Sequence, residues 1–374
     1  MTGFDGNTGW NGLSARRLSR RGLLGSLGVA AIGFSLHGCG QGGGKDGSED
    51  KLNFYTWDTY IGENTLSDFQ AKTGIKVQTS YFATNDELFA KLKAGNPGYD
   101  VIVPSNEFVT RMRGTSPAEN MLMPLDLAKI PNLKNIAPEF LGQDYDPAPK
   151  HSVPYTWLVL GIGYRKSRVN GVPDSWKWLY DSDLYKGRIA LTSEAADLIR
   201  LGAKYLGKSL NGVDAATVKA VEDMLIRQKP NIKSFHEDNG QDLLLAGDVD
   251  LVMETNGDIA QIAREDPDIA FVVPREGSLL NADTLAIPKG APRPEQAHAF
   301  INFLLDAEAG KHIIETILYP TPNAAAKALM PPDFAANPII FPTGAGMDAS
   351  EWGKFEGAEQ ARKFEEAITR VRAA

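Results

Sequence analysis

From Lys51 onward, apolar strand-like runs alternate with amphipathic helix-like runs, and this alternation restricts the fold more than any other feature of the chain. "KLNFYTW" reads as a buried strand, "ENTLSDFQAKTG" as a short helix closed by Gly74, and "IKVQTSYF" as a second strand. "TNDELFAKLKAG" is a helix with Thr84 or Asn85 as cap, Leu88 and Leu92 on one face and Gly95 as its stop. "YDVIVPS" is a third, near-continuously apolar strand. Strand–helix–strand–helix–strand implies parallel pairing through right-handed crossovers. Loops at the carboxyl ends of such strands are the usual place for ligands, and Trp57, Asp58, Tyr60 and Ser105 fall there.

A second unit begins near "TWLVLGIGYRK" (156–166), with "GRIALTS", "VDLVMET" and "IAFVVP" as further strands and helices between them. "NADTLAIPKG" opens another strand, and "PEQAHAFINFLLDAEAGKHIIETI" reads as one long helix with Pro294 and Glu295 in its first turn. With 374 residues and 43% hydrophobic content, the chain can bury two domains or one large one. A soluble α/β protein is the expectation.

The first forty residues do not share this pattern. "RRLSRRGLLGSLGVAAIGFSLHGC" carries four arginines, continues as a small and apolar run, and stops at Cys39. The run from Gly22 to Leu36 is too short to span a bilayer, and the order basic–apolar–small is that of an export signal. "SRRGLL" resembles the twin-arginine export motif, and "LHGC" resembles a lipobox whose cysteine is lipidated, with His37 an unusual member. The other reading of Cys39 is a cysteine that happens to follow a nearby cleavage site. "GQGGGKDGSED" (40–50) has the composition of a flexible tether. A single cysteine leaves no internal disulfide framework. Without residues 1–39, the body holds 35 basic and 46 acidic side chains, a net charge of −11. That balance disfavours nucleic acid or an anionic surface as partner and is compatible with a cationic ligand.

Catalytic patterns find little support. The mature chain has no metalloprotease-type histidine helix, no nucleophile elbow and no phosphate-binding loop. His151, His236, His298 and His312 are scattered, and "HIIE" (312–315) reads as an ordinary helical segment rather than a metal pair. No metal, cofactor or catalytic residue is expected.

With "YTWDTYIG", "YDVIVPS", "NADTLAIP" and "ETILYPTPN" in order, the chain from about Lys51 to its end resembles the periplasmic spermidine/putrescine-binding proteins of ABC importers. The resemblance implies a two-lobed periplasmic-binding-protein fold of type II, each lobe a mostly parallel sheet flanked by helices. Ligand would sit in the cleft between lobes, and the chain would not be an enzyme. The implied boundaries are 51–155 plus 281–322 for one lobe, and 156–280 plus 323–374 for the other. A membrane permease would be the partner of a monomeric receptor.

A polyamine is an apolar rod bearing ammonium groups; each buried ammonium needs a carboxylate or several acceptors, and aromatic faces suit the remainder. The resemblance carries Trp57 and Tyr60 over as an aromatic wall and Ser105 as a polar contact. It carries Glu194, Asp197 and Asp283 over as amine-pairing carboxylates, and Tyr319 as a further aromatic contact. The chain departs from the family at Thr255 and Asn281, where aromatics are usual, at Glu107, where another is usual, and at Gly353, where a glutamine is usual. The second lobe should then be roomier and more polar, with Asp58, Glu107 and Glu254 supplying added negative charge. The same residues have structural readings. Trp57 by itself would be core, and Tyr60 and Tyr319 packed tyrosines. Glu194 and Asp197 would be dipole-favoured acids of a helix capped by Ser193, Asp283 a turn residue, and Asp58 and Glu107 ordinary exposed acids. On the same fold the alternatives are a binder of another small cationic or amino-acid-like solute, or a sensor subunit of a membrane signalling protein.

Overall fold

The computed structural model describes residues 51–374; the export segment, Cys39 and the tether lie outside the described residues. Among the described residues there are ten strands: β1 (Lys51–Thr56), β2 (Lys76–Tyr81), β3 (Val101–Ile102), β4 (Ser152–Arg165), β5 (Ile189–Thr192), β6 (Ile232–His236), β7 (Leu251–Thr255), β8 (Ile269–Val272), β9 (Leu279–Ala286) and β10 (Glu351–Trp352). Their order is β2-β1-β3-β9-β4-β7-β5-β6, with β10 beside β9 and β8 beside β4. β1 pairs in parallel with β2 and β3, as the strand–helix alternation requires. In the other half β5 pairs in parallel with β6 and β7.

The antiparallel strands join the halves. The first part of β4 pairs with β9, from Ser152 opposite Ala286 to Val159 opposite Leu280. Its remainder, from Leu160 to Arg165, turns to β7 and β8. One 14-residue strand therefore belongs to both halves. Asn256 fastens the crossing: its Oδ1 accepts the Val159 N–H at 3.0 Å, and its Nδ2 donates to the carbonyls of Ile339 and Ile340.

β1 is apolar on both faces because both are covered. Phe54 meets Phe300 edge-on at 5.2 Å, and Phe300 meets Phe69 at 5.0 Å. On the opposite face Tyr55 stacks on Tyr99 at 4.1 Å. The helix Thr65–Thr73 ends at Gly74, whose φ of 78° is the left-handed conformation that glycine adopts without a Cβ penalty. Thr84 caps the helix Asn85–Lys93 through the Glu87 N–H.

Three expectations are corrected. "YDVIVPS" forms only the two-residue β3. Pro104 has no N–H to continue the ladder, and the Val103 carbonyl is taken by the Trp57 indole at 3.0 Å. The long helix is two, Pro294–Leu304 and Ala307–Ile317, because the Asp306 side chain caps the second through the Glu308 and Ala309 N–H groups. Ser193 is not a cap: the helix Ala195–Tyr205 has Glu194 in that position, and the cap makes no side-chain hydrogen bond. β6 and β10 were not foreseen; β6 has a weak burial alternation, and β10 is two residues long.

Candidate ligand-binding cleft

The ends of β1, β5, β6 and β7 and the middle of β9 open on one cavity of about 440 Å³. All eleven ligand-site expectations line it: Trp57, Asp58, Tyr60, Ser105, Glu107, Glu194, Asp197, Thr255, Asn281, Asp283 and Tyr319. Its wall also takes in Asp238, Gln241, Asp242 and Asp258, which had not been singled out. Asp238 follows the unforeseen β6, and Asp258 reads in sequence as one more first-turn acid of a helix.

Asp283 is the most elaborated group. A register shift in β4 between Pro154 and Thr156 sets Thr156 opposite it. Its Oδ2 accepts the Tyr60 hydroxyl at 2.6 Å, and its Oδ1 accepts the Ser105 hydroxyl at 2.6 Å. The Tyr60 hydroxyl also lies 2.5 Å from Thr156 Oγ1. Ser105 precedes the helix Asn106–Arg113 where a capping serine would bond the first turn, yet it makes no cap bond. Its hydroxyl is spent on Asp283, and Asn85 holds it at 2.9 Å. Burial pushes the Asp283 carboxyl up to about 6, against the pull of these hydroxyls.

Trp57 is half-buried, tilted against Phe82 at 4.4 Å, so it is both a core edge and a cleft wall. Thr59 turns the chain between Asp58 and Tyr60. Its φ of 51° is left-handed, which is strained for a β-branched residue, and its N–H is held by Asp58 Oδ1 at 2.8 Å. Thr59→Gly is expected to stabilise the protein by about 0.5–1 kcal/mol, read as a higher denaturation midpoint at unchanged slope. A lower midpoint would mean that contacts of the threonine outweigh the strain.

The acidic groups fall into two further sets. Glu194 and Asp197 stand at the start of the helix Ala195–Tyr205. Burial, then the neighbouring acids Asp197 and Asp86, push Glu194 up to about 8. Burial and Glu107 push Asp197 up to about 7, while Arg200 pulls it back. At the other set, the Thr255 hydroxyl caps the helix Asn256–Glu265, donates to Asp258 Oδ2 at 2.8 Å, and lies 2.7 Å from the Tyr319 hydroxyl. Burial holds Glu254 and Asp258 above the usual carboxylate range; the Asp258 charge pushes Glu254 up further, while hydrogen bonds to Tyr319, Thr255 and Glu254 pull Asp258 back. Gly257 is obligatory here: a Cβ would come within 2.2 Å of the Tyr319 ring.

Glu107 does not supply free negative charge, contrary to expectation. It is paired with Arg200, a 3% exposed side chain whose other nitrogen donates to the Lys354 carbonyl. The pairing also accounts for Gly353: a Cβ there would lie 2.2 Å from Glu107 Oε1. The side chain at 107 therefore fills the place of one at 353.

The chain matches the model of the bacterial extracellular solute-binding proteins over residues 64–343. The chain belongs to that family. It is 35% identical over 309 residues to the spermidine/putrescine-binding periplasmic protein of Escherichia coli, covering 82% of this chain and 87% of the relative. Among solved structures it is similar to the spermidine/putrescine ABC transporter substrate-binding protein PotD of Streptococcus pneumoniae, with a TM-score of 0.75, 33% identity, and coverage of 87% and 99%. It is also similar to the Tp0655 (TpPotD) lipoprotein of Treponema pallidum, with a TM-score of 0.76, 25% identity, and coverage of 87% and 100%. The two halves joined by β4 and β9 are accordingly the two lobes of a periplasmic-binding-protein fold.

Proposed function

We propose that this solute-binding protein captures a polyamine of the spermidine/putrescine class in the cleft and delivers it to the permease of an ABC importer. The observation that carries this reading is the charge of the wall. Ten of its residues are Asp or Glu, and no Lys or Arg lines it. Ten carboxylates in a partly dehydrated cleft cannot all be ionised without counter-charge, so the cleft favours a ligand that brings several positive charges. Trp57, Tyr60, Phe108 and Tyr319 supply apolar surface for the methylenes between them. Names of the relatives support the same substrate class.

In this reading one lobe holds 51–155 plus 281–322 and the other 156–280 plus 323–374, with Asp283 on a crossing strand between two acidic poles. The protein acts as a monomer outside the cytoplasm, and Cys39 anchors it to a membrane through lipid. The basic–apolar–cysteine order of the amino terminus and the lipoprotein among its relatives support that placement. No bond is made or broken in the cleft; affinity comes from charge pairing and exclusion of water.

A thermal-shift panel of diamines, triamines, tetramines and amino acids tests the substrate class. Stabilisation by polyamines is expected, and a clear shift with amino acids beside none with any polyamine would overturn the reading. Trp57→Ala is expected to weaken polyamine binding by about 1–2 kcal/mol through loss of its ring face, measured by titration calorimetry.

A further inference from the structure

The recess at Thr255 holds polar atoms that the protein does not satisfy, and nearly all are acceptors. His236, 5% exposed, donates to the Met253 carbonyl through Nε2 at 3.0 Å, and its Nδ1 has no partner. Burial pulls the ring down to about 4, so it is neutral; with Nε2–H donating to the carbonyl, Nδ1 is an acceptor. Glu254, 6% exposed, accepts the Thr255 N–H at Oε1, while its Oε2 has no partner and lies 3.8 Å from His236 Nδ1. Gln241 Oε1 is likewise buried without a partner. Asp238 and Asp258 add carboxylates to the same wall. The nearby donors are already engaged: the Thr255 hydroxyl goes to Asp258, and the Gln241 amide reaches the Asp238 carbonyl at 3.5 Å.

We propose that this recess receives a planar guanidinium head, so that the preferred ligand is a polyamine bearing a guanidino group at one end. The proposal rests on the polyamine reading and deepens it. An ammonium offers three donors from one nitrogen, whereas an alkylguanidinium offers five in a rigid fork that reaches separated acceptors. The acceptors here come from four elements: β6 and the loop after it, the helix Gly240–Leu245, the end of β7, and the helix Asn256–Glu265. His236 Nδ1 and Glu254 Oε2 lie 3.8 Å apart, and with Gln241, Asp238 and Asp258 on the other elements of the wall a fork of five donors can serve more of the set than one nitrogen can. Among the described residues, no group of three or more His, Cys, Asp or Glu is arranged to hold a metal ion, so a cation with its own N–H donors fits better.

The opposite pole has the contrary character. Beside Glu194 and Asp197, the Glu107 carboxylate is already taken by the Arg200 guanidinium behind the wall, so that pole has fewer open acceptors for a second fork. That pole suits the compact ammonium end. A guanidinium also stays charged at every working pH, so it offsets the burial that disfavours the ionised forms of Glu254 and Asp258.

Titration calorimetry with putrescine and with 4-aminobutylguanidine, which differ only in one head group, tests the proposal on the purified protein. The guanidino compound is expected to bind about tenfold tighter or better, the gain of one or more charge-assisted hydrogen bonds. Glu254→Gln and Gln241→Leu are each expected to shrink that preference. The half-buried Gln241 serves if the buried Glu254 variant fails to fold. Equal or tighter binding of putrescine, or a preference untouched by Gln241→Leu, overturns the guanidinium assignment and leaves the polyamine reading standing. Failure of every amine to bind removes both.

Discussion

Asp283→Asn is expected to weaken binding of the proposed polyamine by about 2–4 kcal/mol, a loss of roughly 30- to 1,000-fold in affinity, while the empty protein stays folded. The size follows from what the side chain does. Tyr60 and Ser105 donate to its two oxygens at 2.6 Å each, which holds the carboxylate in one orientation at the strand crossing. An ammonium meeting it pairs with a charge that is already aimed, so little ordering is lost on binding. Asparagine keeps the shape but not the charge. Its amide oxygen can accept from Tyr60, and its N–H can donate to Ser105 Oγ, so stability should change by only about 1 kcal/mol or less. Calorimetric titration gives the affinity and denaturant unfolding without ligand gives the stability. Wild-type affinity in a folded variant would remove Asp283 from the site; a variant that unfolds would make it a structural residue of the crossing.

The second large effect is on pH. Between pH 6 and 8.5 the affinity for a polyamine should rise by about one to three orders of magnitude, because the cleft must shed protons to pair with cations. Glu194 near 8, Asp197 near 7 and Asp283 near 6 are each protonated in part over this range. A ligand that requires their ionised forms works against those protons at pH 6 and against few of them at pH 8.5. Stability of the empty protein must move the other way. These carboxyls have folded pKa values above their unfolded ones, so their contribution is full below the unfolded values and lost as pH rises through the folded ones. His236 and His151 are held below their ordinary value, and by pH 7 and above they are largely neutral whether folded or not. From pH 7 to 8.5 the melting temperature of the empty protein should therefore fall while the shift produced by ligand grows. Buffers of matched ionic strength and different ionisation enthalpy, compared by calorimetry, would count the protons released. Affinity that is flat from pH 6 to 8.5 would mean that these acids are already ionised in the empty cleft.

Local pattern made much of this legible. Trp57 and Tyr60 follow an apolar strand, and chain connectivity obliges the end of a parallel strand to open on a crevice. Gly74 after an amphipathic run, and Thr84 before one, mark helix ends by backbone rules that act over a few residues. Asp306 shows where local reading fails at its own scale: periodicity ran through a position whose side chain restarts the helix. The lining role of Asp238 was hidden for another reason. Nothing in "SFHEDNG" sets that aspartate apart, and only the pairing of β6 with β5 carries it to the cleft.

Sequence alone was enough for the alternating architecture and the acidic body, because strand ends and helix starts are short-range features, while most of the eleven side chains that line the cavity were named through the family resemblance. Only the tertiary structure decided what state those side chains are in. Glu107 is neutralised by an arginine 93 positions away, and Tyr60 spends its hydroxyl on an aspartate 223 positions away. Glu254 and Asp258 are close in sequence, but their carboxyls are held above the usual range because the fold removes water from around them. Charge pairing and desolvation depend on distances through space, and those exist only once the chain has closed on itself.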